Sequence, residues 1–338
     1  DGSAKTWRLD APPLPDLGGA GNCCWLQSAV YSPDGQSVLT AGGNDGLLWT
    51  LNGERGQEFR VDGGTVYTAI FNAASNRILT GASNGSVRLW DLNATALVTF
   101  TGHLSAVVSV QFSPDGRHIA TASDDGTARL WTLEGTEVLS FTHASAMNSV
   151  AFNHDGSELL TASDNGLVQR WARDGSLLAS YLGHQGGVYT AVFSPDGMKV
   201  LTSSWDDTAR IWSVDGQLLK TLPHPADVSH AAFSPVDEIV ATAADDGVTR
   251  LWSFAGDLLT TLPAHRSGVN SVNFNADGTR VITASSDATA RQHLVYFDDL
   301  VETTACSSTY HLSADEVRTY GLSTPLKSQL TNVDCALP

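Results

Sequence analysis

A tryptophan recurs along this chain at an almost constant interval, and that interval limits the available folds more than any other feature. The anchors are Trp7, Trp49, Trp90, Trp131, Trp171, Trp212 and Trp252, with His293 at the next position, separated by 42, 41, 41, 40, 41, 40 and 41 residues. Upstream of every anchor but the first lies a short apolar run such as Ile119-Ala120-Thr121-Ala122, preceded by an alternating run such as Val188 to Phe193. Runs of this length suit strands and leave no room for a helix within a unit. A unit so small cannot bury its apolar faces alone, so the copies must stack against one another.

The runs are joined by turns with their own chemistry. Ser32-Pro33-Asp34-Gly35, Ser113-Pro114-Asp115-Gly116, Ser194-Pro195-Asp196-Gly197 and Asn275-Ala276-Asp277-Gly278 fall at the same place in their repeats. Proline presets one φ and glycine accepts a positive one, which makes these hairpin turns. Gly81-Ala82-Ser83-Asn84-Gly85 matches the nucleophile pattern G-x-S-x-G, but it too lies between two strand runs. That pattern has chemical meaning at a strand-to-helix elbow, so a hairpin is expected here. The Asp124-Asp125 and Asp245-Asp246 pairs recur at repeat spacing, which marks them as turn residues before ion ligands, and no metal or cofactor is predicted.

Charge narrows the partners. With 36 acidic and 19 basic residues the chain carries a formal charge of −17, a field that repels phosphate backbones, so nucleic acid is an unfavourable partner. No apolar run reaches the roughly 18 residues that span a bilayer, so no membrane insertion is expected. Four cysteines, Cys23, Cys24, Cys306 and Cys335, are too few for a disulfide-built scaffold. They leave the compartment open: cytoplasmic is the expectation and extracellular the alternative.

With Gly102-His103 and Gly183-His184 opening two repeats and Trp90-Asp91 closing another, the chain resembles the WD-repeat β-propellers from Asp1 to about His293. The resemblance implies an all-β, seven-bladed β-propeller of four-stranded antiparallel blades. It also implies a polar network within each blade, joining a histidine at the repeat start, a serine on the second strand, an aspartate in the next turn and the tryptophan. His103, Ser123, Asp125 and Trp131 fill all four places, as do His184, Ser204, Asp206 and Trp212. Elsewhere a member is replaced: Asn165 stands for the acid beside His143, Ser163 and Trp171, Ala244 for the serine beside His224, Asp246 and Trp252, and His293 for the tryptophan beside His265, Ser285 and Asp287. Asn22 and Asp62 stand where the first two blades would carry histidine. Repeated, degraded Ser-His-Asp sets around a ring are expected to be structural, not catalytic.

The count of third-strand signatures exceeds that of the other strands by one, the extra copy lying in residues 1–7. The chain therefore starts inside a repeat, and a longer polypeptide is expected upstream. Seven blades close if the segment after Trp7, which holds Pro12, Pro13 and Pro15, forms the outer edge of the last blade, where proline is tolerated. The propeller is assigned to residues 1–295 and a short helical C-terminal tail, packed on it, to residues 296–338. Ser313-Ala314-Asp315-Glu316 is a capping box in that tail. The tail resembles those of bacterial WD-repeat signalling proteins, which implies a sensor or autoinhibitory role beside an upstream effector domain. Cys306 and Cys335 could pair to hold the tail or remain thiols.

These features favour a non-catalytic scaffold or sensor that binds protein partners over a secreted structural or carbohydrate-binding propeller, for which homo-assembly would be the mark. By family geometry two sets of side chains face the partner. The residue before the turn aspartate is small or acidic in most blades (Asn44, Ser83, Asp124, Asp164, Asp245, Ser286) but is Trp205 in one. Five residues after the repeat start come Gln27, Tyr67, Val108, Asn148, Tyr189, Ser229 and Asn270, expected at the mouth of the central channel. Tyr189 and Trp205 share a blade and should lie together as the binding hot spot.

Overall fold

Each repeat places its continuous small-apolar run second, and that run ends up covered on both faces. The computed structural model describes Leu17, Gly18 and residues 25–295. Within these, seven four-stranded antiparallel sheets form seven blades. Blade five is typical, with strands Val188–Phe193, Lys199–Ser204, Thr208–Ser213 and Leu218–Pro223 from the channel outwards. Its second strand is buried at every residue after Lys199, whereas the outermost strand is exposed except at Leu222. The second strands join large apolar residues such as Val200 and Leu201 to a run of threonine, serine and alanine, all of them buried because neighbouring blades cover both faces.

The core lies between blades. Leu201, Ala209 and Ile211 of blade five pack with Val228, Ala231, Val240 and Trp252 of blade six, and the same pairing repeats around the ring. The last seam joins Ile282, Ala284 and Ala290 of blade seven to Leu26, Ala29, Val38 and Trp49 of blade one. Polar ties span the same seam: Ser271 Oγ accepts from the Ala29 N–H at 3.1 Å, and Asn273 Nδ2 donates to the Ala29 carbonyl at 3.0 Å.

Blade seven takes three strands from the end of the repeat array, Val269–Phe274, Arg280–Ser285 and Thr289–Leu294, and its outer strand, Leu17–Gly18, from the other end of the chain. Leu17 pairs with Ala290 and Gly18 with Thr289, just beyond the proline-rich stretch. Joining the two ends in one sheet removes the open edge that a linear array would present. The partial repeat at 1–7, Asn22, the tail at 296–338 and all four cysteines lie outside the described residues.

Candidate functional site

The turns between second and third strands bond to the loops that open each repeat, so both lie on one face. Asp124 N–H donates to the Ala106 carbonyl at 2.9 Å, Trp205 N–H to Gly187 at 3.0 Å, and Asp245 N–H to Asp227 at 2.9 Å. Ser83, within the G-x-S-x-G match, sits in such a turn, its Oγ accepting from the Thr65 N–H.

Beneath this face the histidine networks run inwards, but their central joint is threonine, not serine. In blade five, Trp212 Nε1–H donates to Thr202 Oγ1 at 2.9 Å, Thr202 Oγ1 meets His184 Nε2 at 2.7 Å, and His184 Nδ1 meets Asp206 at 2.9 Å. Blade three repeats this with Trp131, Thr121, His103 and Asp125. Ser204 and Ser123 stand beside the chain instead: each accepts from the turn N–H of Asp206 or Asp125 and donates to a loop carbonyl. The signal was in the sequence, since Thr40, Thr80, Thr121, Thr161, Thr202, Thr242 and Thr283 recur at repeat spacing. Burial lowers the pKa of His184, so the ring is neutral at pH 7, with Nδ1–H donating to Asp206 and Nε2 accepting from the threonine hydroxyl. Burial raises the pKa of Asp125, but hydrogen bonds from Thr127, the Leu104 N–H and His103 outweigh it and bring the carboxyl to about 2.

The glycine of Gly-His has a packing role. A Cβ on Gly102 would sit 2.5 Å from Arg129 Nη1, and one on Gly183 2.8 Å from Arg210 Nη1, where each guanidinium lies over its blade's tryptophan. Blade six has Pro223 at that position and Val248 where Thr127 and Thr208 hold their aspartates. There Arg250 turns to Asp246 at 2.6 Å, and His224 Nδ1 donates to the Leu222 carbonyl at 3.0 Å. In blade four, Asn165 leaves His143 Nδ1 bonded to Ser163 Oγ at 3.1 Å. Blade seven keeps His265, Thr283 and Asp287, while Nε2 of the substitute His293 is buried without a hydrogen-bond partner.

The ring encloses a channel of about 1250 Å³ whose walls are the innermost strands. That exceeds the ~300–1,000 Å³ typical of small-molecule pockets. All seven predicted collar residues, Gln27, Tyr67, Val108, Asn148, Tyr189, Ser229 and Asn270, line it, together with Asp124, Asp245 and Ser286. In blades two to seven the collar position is a register shift in the first hairpin, as between Val188 and Thr190 or Val228 and His230. The extra residue leaves the ladder and aims its side chain away from the sheet, which brings these residues to the channel mouth.

Three collar residues also tie neighbouring blades together. Asn148 Nδ2 donates to the Val188 carbonyl at 3.0 Å, Ser229 Oγ to Val269 at 2.6 Å and Asn270 Nδ2 to Leu26 at 2.7 Å, each on the next blade. Asn148 also holds Asp164 Oδ1 at 2.6 Å. Asn44 offers its backbone carbonyl to the Val61 N–H.

Tyr189 and Trp205 meet edge to face with ring centroids 5.3 Å apart. Trp205 is 42 % exposed, which excludes the purely buried role its apolar ring would otherwise favour. Its indole rests on Gly186-Gly187, where a Cβ on Gly187 would come within 3.1 Å of Cε3. Around this pair the carboxylates crowd. Burial, then the charge of Asp164, raises the pKa of Asp124; burial, then Asp246, raises that of Asp245; burial, then Asp245 and Asp207, raises that of Asp227.

Residues 25–293 match the family described as IFT122 first beta-propeller. Comparison with curated proteins found no match. Seven four-stranded blades, a ring closed between its two ends and a family match over most of the chain place this protein among the WD-repeat-type β-propellers, in the family of the first β-propeller of IFT122.

Proposed function

We propose that this propeller is a non-catalytic platform that holds a protein partner on the face bearing the repeat-start loops, anchored at Trp205 and Tyr189. The observation that carries this reading is the exposed Trp205 indole, which packs edge to face on channel-lining Tyr189 and rests against Gly187. An exposed tryptophan backed by rigid structure is the side chain most often found at interface hot spots, where truncation costs about 2 kcal/mol or more. The Ser-His-Asp sets support a structural role for themselves, since His184 Nε2 is engaged by Thr202 and so holds no serine as a nucleophile.

The test is selection of peptides from a displayed random library on the immobilised propeller, followed by affinity measurement on parent and variants. Trp205→Ala is expected to weaken the selected binders at least roughly tenfold, about 1.4 kcal/mol, with an unchanged melting temperature. His184→Ala is expected to lower the melting temperature and leave affinity intact below it. Selected binders indifferent to Trp205→Ala overturn the assignment.

A further inference from the structure

The mouth of the channel gathers carboxylates around an aromatic pair. Among the described residues lining the channel are Asp124 and Asp245 and no lysine or arginine. Tyr189 and Asp245 both line the channel, Asn148 bonds both Asp164 and the Val188 carbonyl next to Tyr189, and the Asp245 N–H bonds the Asp227 carbonyl at 2.9 Å, so three carboxylates and the Tyr189–Trp205 pair share one neighbourhood. Three third-strand arginines pair within their own blades: Arg210 with Asp206 at 3.2 Å, Arg250 with Asp246 at 2.6 Å and Arg129 with Glu137 at 2.9 Å. Arg60 bonds Asp45 at 2.9 Å, and Arg266 belongs to the opening loop of blade seven.

We propose that the group seated at this mouth is the cationic side chain of a lysine- or arginine-bearing protein segment, its charge facing Asp164, Asp227 and Asp245 and its stem lying on Trp205 and Tyr189. This rests on the interaction-platform reading and names the chemistry of the partner. Two independent features converge on it. Aromatic faces attract cations through their quadrupole, and they do so best where water is partly excluded, as it is beside half-buried Tyr189. Crowded carboxylates gain from a cation twice, by direct attraction and by relief of their mutual repulsion. A polyanion meets the opposite condition, because every charge at the mouth repels it.

The probes are Gly-Ser nonapeptides whose three central residues are Arg, Lys, citrulline or Glu, measured by fluorescence polarisation on the whole chain. Arg and Lys probes are expected to bind, with at least a tenfold loss for citrulline and no binding of Glu. Trp205→Ala and the Asp164→Asn/Asp245→Asn double variant, each checked for an unchanged melting temperature, are each expected to weaken the Arg probe at least tenfold. Equal binding of citrulline and Arg overturns the proposal. So does Arg binding indifferent to both variants, which would mark general attraction to an acidic surface. If library binders depend on Trp205 but show no excess of lysine or arginine, the platform reading stands and this inference falls. If none depends on Trp205, both fall.

Discussion

Replacing Thr202 by valine tests whether threonine is the joint of the blade network. The two side chains have nearly the same shape, so packing is kept while one hydroxyl is lost. That hydroxyl serves two partners, Trp212 Nε1–H at 2.9 Å and His184 Nε2 at 2.7 Å. Thr202 is 0 % and Trp212 2 % exposed, so water cannot take its place. Leaving a buried donor or acceptor unpaired costs about 1–3 kcal/mol, and two are orphaned here, giving roughly 2–4 kcal/mol after the gain from burying a methyl group. For a large domain each kcal/mol moves the melting temperature by roughly 2–4 °C, so Thr202→Val is expected to melt roughly 4–16 °C lower. Thr202→Ser keeps the hydroxyl, loses one methyl group and is expected to cost about 1 kcal/mol. Thermal unfolding followed by near-ultraviolet circular dichroism reads both. If Thr202→Val melts with the parent, or Thr202→Ser falls as far as valine, threonine is not the joint.

Acid should unfold the ring in two stages. Burial depresses His224, His230 and His293 to about 4, against about 6.5 in the unfolded chain, so the unfolded state binds more protons as pH falls through 6.5. Stability is expected to drop between pH 6.5 and 4 by up to ~4 kcal/mol per pH unit, with a further loss below pH 4 as Asp125 is protonated; urea titrations flat from pH 7 to 5 would refute this. Asn270→Ala removes the 2.7 Å tie to Leu26 and should cost about 1 kcal/mol of stability, read by urea unfolding, while Trp205-dependent affinity is unchanged. A loss of affinity with stability intact would instead make Asn270 a contact residue. Gly187→Ala sets a Cβ 3.0 Å from the Asp164 carbonyl and 3.1 Å from the Trp205 ring, and should weaken the same binders several-fold by displacing the indole. Affinity equal to the parent would show that the ring can move without consequence.

Much of this molecule follows from local pattern. The 40–41-residue spacing from Trp49 to His293 carries the blade number, and the Ser-Pro-Asp-Gly turns place the hairpins. The collar residues were legible because they hold the same phase in every repeat, and the hairpin bulge at that phase acts on whichever side chain stands there. Trp205 was legible because it breaks the run of small and acidic residues at its position. These features depend on neighbours within one repeat, so composition and spacing suffice to read them.

What tertiary structure decided lies between residues on different strands and different blades. Within Thr202-Ser203-Ser204 alone nothing distinguishes serine from threonine, although only the threonine recurs in all seven repeats; the strand pairing puts Thr202, not Ser204, between indole and imidazole. Asn148, Ser229 and Asn270 acquire their inter-blade partners only when the next blade brings the Val188, Val269 and Leu26 carbonyls beside them. The edge strand Leu17–Gly18 has meaning only opposite Thr289 and Ala290, some 270 residues on, because a two-residue strand holds no pairing preference of its own and takes it from the sheet it completes. The sharing of one neighbourhood by Asp164, Asp227 and Asp245 likewise arises only when blades four, five and six pack side by side, because the rotation between blades sets which charges meet.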